Sequence, residues 1–291
     1  MISCDPEKIF TLIPEFESTS TRVARSIHNT VMKHEDAREV ADAFHGTWLK
    51  HPLHPALTDL VVGAWTLGTL LDSISCISPS RSTNKAADLL ISIGNVAAIP
   101  TALSGIADAS AAPKGSMVTA SSHALMNVGG LLLNLASASQ RRAGKRRTAR
   151  CLSAAASGML LISAWLGGKL VFNQRVGVSK ISGPPSSADW RFALRENELQ
   201  ENVPRRIEVD GAQVMLCRCG GSINAIGAVC GHEGGPLDKG KVEGTHVTCP
   251  WHQSAYDVQN GRVVHGPSTY DEPVYETRVV DGNIEVRPGT A

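Results

Sequence analysis

Aromatic residues are scarce in this chain, with Phe, Trp and Tyr together making up 4% of its 291 residues. Neither sign of charge dominates: 28 Lys and Arg stand against 27 Asp and Glu, a formal net charge of +1. A nucleic-acid binder gathers its cations on an aromatic-rich face, whereas here they fall between apolar runs, so that class of partner is excluded. The first 30 residues hold no uninterrupted apolar core, which removes a cleavable secretion signal from the reading. Cysteine is limited to seven positions and does not fix the redox compartment.

The average composition hides two unlike halves. Residues 188–291 carry 10 Lys and Arg against 15 Asp and Glu, leaving 18 against 12 in the rest, so an acidic C-terminal module follows a basic N-terminal part. At this length two domains are expected. The boundaries read as a tail with an amphipathic helix over 1–50, a helical domain over 51–178, a linker over 179–189 and a β domain over 190–291.

In the tail, Val23, Ile27, Val31, Val40, Phe44 and Trp48 recur at helical spacing between charged residues. This predicts one amphipathic helix over 19–49, lying on a membrane surface or on the helices that follow. Four apolar runs come next, at 55–77, 86–107, 117–138 and 151–172, each 22 or 23 residues long. That length crosses a hydrocarbon core of about 30 Å at 1.5 Å per residue. Their many Gly, Ala and Ser residues suit close helix packing in lipid. Cys76 and Cys151 lie in or beside these runs and read as small buried hydrophobes.

The C-terminal stretch alternates like short strands, at 206–209, 213–217, 222–229, 246–248, 255–258, 262–264, 275–280 and 283–287. Asp210-Gly211, Asn260-Gly261 and Asp281-Gly282 mark turns between them. Cys217 and Cys219 alternate along one strand, share a face and read as a packed pair. Two motifs carry chemistry, Cys230-Gly-His232 and Cys249-Pro-Trp-His252. Each pairs a thiol with an imidazole, and the intervening residues are enough for two opposed fingers. Such a set suits a [2Fe-2S] centre with two Cys on one iron and two His on the other. It also suits tetrahedral zinc, although zinc motifs usually pair ligands of one type.

The flanking residues, CGHEGGPL and CPWHQSAYD with Gly266-Pro267 further on, resemble the Rieske family over about 190–287. The resemblance implies a [2Fe-2S] cluster held by the Cys230 and Cys249 thiolates and the His232 and His252 imidazoles. It also implies an antiparallel sandwich with a cluster-binding subdomain. Ser254 and Tyr256 stand where high-potential relatives donate hydroxyl bonds to the cluster sulfurs, so they are expected to tune its potential. Gly235 and Trp251 replace two loop cysteines that those relatives join in a disulfide, and Gln253 stands where Gly is usual. Together these features imply an intermediate potential that falls with rising pH once the imidazoles titrate.

A second resemblance covers 46–178. HGTWLKHPLHPALTDLVVGAW, AAIPTALSGIAD, HALMNVGGLLLNLAS and LGGKLVFNQRVGV are similar to segments of an uncharacterised family of four-helix bacterial membrane proteins with an HPLHP motif. One departure is Asn173-Gln174, where those proteins tend to have Tyr and His. The fold class is therefore an all-α four-helix transmembrane bundle followed by an all-β Rieske domain. His54, at the start of the first span, and His123, inside the third, are candidates for a haem or quinone site. Their places in the spans suggest depths differing by about two helical turns, which disfavours haem.

Six cations between 140 and 150, with Arg81 and Lys85, face Lys114 alone in the loop between the second and third runs. The positive-inside rule then puts both chain ends, and the β domain, outside the cytoplasm in a multi-pass cell-membrane protein. Arg146-Arg147, ahead of the last run, would agree with twin-arginine export of a folded, cluster-loaded domain. The expected function is membrane-bound electron transfer, from a donor such as quinol to an electron-accepting protein. The alternatives are a membrane-anchored ferredoxin-like carrier serving a soluble oxygenase or reductase, and a non-catalytic redox sensor. A complete Rieske oxygenase is disfavoured, since no further domain for a mononuclear iron follows.

Overall fold

The computed structural model describes residues 6–181, 183 and 187–289, so Cys4 and part of the expected linker lie outside the described residues. The chain divides into two compact units, Met1–Asn29 with Leu53–Val176, and Thr30–Pro52 with Gly177–Ala291. The expected helix over 19–49 is instead two helices, α2 (Phe16–Lys33) and α3 (Glu35–His45), after a short α1 (Lys8–Thr11). His34 is extended between them, at φ −124° and ψ 120°, and the division between the units falls within α2.

The first unit is built from four long helices: α4 (Leu53–Ile77), α5 (Arg81–Ser110), α6 (Met117–Arg142) and α7 (Arg146–Gly168). A π-helical turn, Lys169–Asn173, extends α7. Ser80 caps α5 by accepting the Thr83 amide. The packing is inside-out. Ser104, Thr119, Ser122, Asn134, Ser137, Ser153 and Ser163 are buried, while Leu67, Leu70, Val96, Ile99, Leu132 and Leu161 are exposed. A water-soluble bundle would bury the second set. Small residues let the helices approach: a Cβ on Gly94 would lie 2.2 Å from the Trp65 ring, whose Nε1 donates to Asn95 Oδ1 at 3.1 Å.

Three helices, Leu53–Ile77, Arg81–Ser110 and Arg146–Asn173, are long and apolar enough to cross a membrane. The expectation of four similar spans is adjusted at α6, whose mean apolarity is diluted by Ser121, Ser122, Asn127, Asn134 and the terminal Arg141 and Arg142. Cys76 and Cys151 are exposed rather than buried, and Arg150 Nη1 donates to Cys76 Sγ at 3.4 Å at the charged end of the helices.

At one end of these helices Asp72 is 2% exposed and paired with Arg141, whose guanidinium also reaches Asp88 at 2.7 Å. Arg146 donates to both Asp88 oxygens, at 2.9 and 2.6 Å, and Arg150 Nε lies 3.6 Å from Asp72. Removing one member of such a network leaves an uncompensated buried charge. Asp72→Ala should therefore destabilise the full chain in detergent by about 3–5 kcal/mol, and a paired Arg141→Met change should recover most of that loss. Thermal unfolding checks this; a single variant as stable as the wild type would count against a buried network.

In the second unit a six-stranded antiparallel sheet has the order β1-β10-β9-β4-β3-β2. Its strands are β1 (Arg191–Arg195), β2 (Arg205–Val209), β3 (Ala212–Cys219), β4 (Ser222–Gly227), β9 (Val274–Val280) and β10 (Asn283–Pro288). A smaller sheet runs β5 (Lys241–Glu243), β6 (His246–Thr248), β7 (Ala255–Asp257) and β8 (Val263–His265) in that order. Strands β1 and β5 are additional to the eight expected. Asp210-Gly211 and Asp281-Gly282 turn with both residues at positive φ, the geometry that twists with the flanking strands. Along β3, Val214 and Leu216 enter one core while Met215, Cys217 and Cys219 enter another, which continues into the small sheet through Leu237, Val247 and Tyr256.

Candidate functional site

Three connections meet at the small sheet: the β4–β5 loop with Cys230 and His232, the β6–β7 loop with Cys249 and His252, and the β8–β9 loop with Gly266 and Pro267, joined by a cis peptide. Backbone bonds close the first two. The Cys230 amide donates to the Gly235 carbonyl and the Gly234 amide to the Cys230 carbonyl, each at 2.9 Å. In the second loop the Cys249 amide donates to the Ser254 carbonyl at 2.8 Å and the Gln253 amide to the Cys249 carbonyl at 3.0 Å. A Cβ on Gly235 would lie 2.6 Å from Cys249 Sγ and 3.2 Å from the Trp251 ring. Only glycine fits there, and the two positions that resemblance assigns to a missing disulfide lie against each other.

The Cys230 and Cys249 thiols are buried and bonded to each other, and the His232 and His252 rings stand 5.1 Å apart and perpendicular. The hydrogen bond between the thiols lowers the Cys249 thiol and raises the Cys230 thiol, so Cys249 is the readier of the two to ionise. Burial depresses the His252 imidazole, keeping it neutral. Tyr256 Oη lies 3.1 Å from Cys230 Sγ. Ser254 is fully buried, and its Oγ accepts the Ser268 amide at 3.0 Å. The structure thus brings together all six residues that the motifs nominate here. Two buried sulfurs and two imidazoles on adjacent loops form the mixed soft and borderline donor set that a two-iron centre takes.

One residue of this region escapes sequence reading. Glu272 is 3% exposed, and its Oε1 accepts the Gly231 amide at 2.8 Å, tying the third loop to the first. Nothing local marks it, since it follows Asp271 in an ordinary acidic turn. Cys217 and Cys219 face each other with sulfurs 3.0 Å apart, and burial raises the Cys217 thiol, so they are packing residues of the core.

His54 and His123 lie in the other unit. Their rings are 6.2 Å apart and T-shaped, closer together than the two-turn difference in depth inferred from the runs would allow. His54 Nδ1 lies 2.9 Å from the Thr101 carbonyl and His123 Nδ1 2.9 Å from the Ser163 carbonyl. A carbonyl can only accept, so both rings carry the proton on Nδ1, and Asn127 Nδ2 donates to His123 Nε2 at 3.0 Å.

A small antiparallel domain that presents two buried thiols and two imidazoles on adjacent loops has the build of an iron–sulfur electron carrier. Comparisons with known proteins make this specific. Residues 189–276 match the family described as the Rieske [2Fe-2S] domain, and residues 50–180 match a family described as predicted membrane proteins, DUF2231. The anthranilate 1,2-dioxygenase ferredoxin subunit of Burkholderia cepacia is 31% identical over 102 residues, 35% of this chain and 94% of that protein. The ferredoxin component of a naphthalene 1,2-dioxygenase system of Pseudomonas aeruginosa is 29% identical over 31% of this chain and 86% of its own length. Among solved structures, the ferredoxin of carbazole 1,9a-dioxygenase from Nocardioides aromaticivorans IC177 aligns with a TM-score of 0.33 at 29% identity, covering 34% of this chain and 98% of its own. This chain belongs to the Rieske [2Fe-2S] family through its C-terminal domain, binds a [2Fe-2S] cluster and carries out electron transfer.

Glu272 provides a pH test. Burial first, and then the negative charge at Cys230, raise its carboxyl from 4.5 to about 9. The folded chain holds this proton more tightly than the unfolded chain, so the stability it supplies is full below 4.5 and is lost as pH rises through about 9. Glu272→Gln keeps an acceptor for Gly231 and cannot ionise. The melting temperature of cluster-free protein should fall between pH 5 and 9 in the wild type and change less in the variant, within the range set by these pKa values. Equal slopes would show that Glu272 is ionised in the folded chain.

Proposed function

We propose that the protein is a membrane-bound one-electron carrier that takes electrons from a quinol and passes them to an electron-accepting protein. In this reading Cys230 and Cys249 hold the inner iron as thiolates, and His232 and His252 hold the outer iron through a ring nitrogen. The observation that carries the membrane half is the inside-out helical unit, in which buried serines and exposed leucines reverse the order of a soluble bundle. When bound, the cluster supplies a single-electron couple with a potential above that of all-Cys centres. The chain's own residues then set its surroundings. Tyr256 offers its hydroxyl to Cys230 Sγ, Ser254 is buried beside the second loop, and His232 and His252 are the half-exposed groups through which an electron would leave.

His54 supports the quinol side. With its proton on Nδ1, its Nε2 carries a lone pair able to accept the hydroxyl proton of a quinol head group inside the helical unit. The relatives favour a second reading, a membrane-anchored ferredoxin for a soluble oxygenase, because their names place them in dioxygenase systems. A quinol analogue that bleaches the cluster's visible absorbance in membranes supports the first reading. Reduction only by a soluble flavoprotein reductase supports the second.

The outward orientation rests on Arg142, Lys145, Arg147, Arg81 and Lys85, since Arg141, Arg146 and Arg150 are engaged by Asp72 and Asp88. Protease access to the C-terminal domain in intact cells tests it.

His252→Ala should abolish the low-field EPR signal of the reduced centre, while Cys217→Ala should retain it. Tyr256→Phe should keep the spectrum and lower the midpoint potential by the equivalent of one hydrogen bond, about 1 kcal/mol. An unchanged spectrum in His252→Ala would reject the ligand assignment.

A further inference from the structure

Helix α3 precedes the membrane-matching region in sequence, yet Thr30–Pro52 belongs to the same compact unit as the cluster-binding domain. Its contacts fall on the loops that carry the site. Arg38 Nη2 donates to the Gln253 carbonyl at 2.9 Å, on the residue that follows His252. Asp42 Oδ1 accepts the Gly266 amide at 2.7 Å, and Asp42 Oδ2 lies 2.7 Å from His265 Nδ1. A Cβ on Gly266 would sit 3.2 Å from Asp42 Oδ1, 3.2 Å from the His45 ring and 3.3 Å from the Thr47 methyl group, so the third loop is seated directly under α3. Lys50 adds an ion pair with Asp271.

Gln253 gives these contacts a function. Its φ is 63°, in the left-handed region that glycine enters freely and other residues enter at a cost. The turn that orients His252 is therefore strained, and its own Gln253 amide bond to the Cys249 carbonyl is only one anchor. The Arg38 guanidinium supplies another from outside the loop, as a charge-assisted bond to the carbonyl of the strained residue. Asp42 does the same for the third loop through a backbone amide.

We propose that Arg38 and Asp42 are positioning residues of the cluster site, and that α3 is a clamp holding the second and third loops in their cluster-binding geometry. The clamp makes Gln253 tolerable where glycine would need no support. This inference rests on the assignment of His252 as a ligand.

Full-length protein in detergent, loaded with its cluster, allows the test. Arg38→Met should speed chelator-driven bleaching of the visible absorbance about tenfold, as expected for loss of a charged hydrogen bond, and shift the EPR g-values of the reduced cluster. Arg38→Lys should restore part of both. Gln253→Gly in the Arg38→Met background should return bleaching to within about twofold of the wild type, because glycine holds the turn unaided. Asp42→Ala should speed both bleaching and hydrogen exchange at the Gly266 amide. If Arg38→Met takes up no cluster, recovery in the double variant upholds the clamp and continued failure overturns it. A normal wild-type signal with an inert Arg38→Met, or a double variant no better than the single one, sinks the clamp alone. Unchanged exchange in Asp42→Ala removes that residue from it. A wild-type chain without a Rieske signal would take down the ligand assignment, and the clamp with it.

Discussion

Two buried thiols hydrogen-bonded to each other are the constraint around which the cluster domain is arranged. Cys230 and Cys249 sit in an apolar core with Met215, Leu237, Val247 and Tyr256, where a thiolate is costly. A cluster held by both sulfurs would take them as thiolates and supply the positive charge that burial otherwise withholds, so binding and loop closure would reinforce each other. Glu272 follows from the same constraint. A carboxylate that close to sulfur charge would add repulsion, and the protein keeps it protonated by burying it. The loops cannot draw much on core packing, because their tips expose the imidazoles. They rely on backbone bonds within each finger and on supports from outside, Glu272 for the first loop and α3 for the second and third.

The two units solve opposite solvation problems. In the β unit Val214, Met215, Leu216, Ile226 and Ile284 are withdrawn from water, the ordinary arrangement. In the helical unit many buried positions are small or polar beside a limited apolar cluster around Trp65, Ile91 and Leu160, and many large aliphatic side chains face outward, where a hydrocarbon solvent offers no penalty. The same inversion explains the placement of charge. Asp72 and Arg141 are affordable at 3% and 4% side-chain exposure only because each neutralises the other and Asp88, Arg146 and Arg150 extend the network.

What the sequence made legible was local. The Cys and His spacing, the Asp-Gly turns and the apolar runs are each contained in a few tens of residues, and each leads to an element that is present. The exposure of Cys76 and Cys151 is not encoded in an apolar run, because the run does not say which of its residues face inward or which meet a neighbouring helix's Arg150. The approach of the His54 and His123 rings depends on how α4 and α6 pack against one another, which spacing within each run does not encode. The α3 contacts join residues more than 200 positions apart, at 38 and 253 or 42 and 266, and no periodicity reports such a pairing. Gln253 was the one local clue. A non-glycine residue in a loop that favours glycine implies that something else pays for its conformation.

The discontinuity of the cluster-bearing unit also bears on how many helices cross the bilayer. Its two parts, Thr30–Pro52 and Gly177–Ala291, flank the helical unit in sequence and contact each other. In the membrane placement proposed above they would share one side, which requires an even number of crossings by the helices between them. Three crossings, the number suggested by apolarity alone, would place α3 and the Rieske domain on opposite sides. A 26-residue α6 is about 39 Å long, enough for a core of about 30 Å. Its polar residues Thr119, Ser122, Asn134 and Ser137 are buried, while Leu125, Val128, Leu132 and Leu135 face outward. The outward surface of α6 is therefore apolar, and an average over both faces understates it. Within that proposed placement the parity calls for α6 as a fourth crossing, beside the three helices that are long and apolar enough to cross.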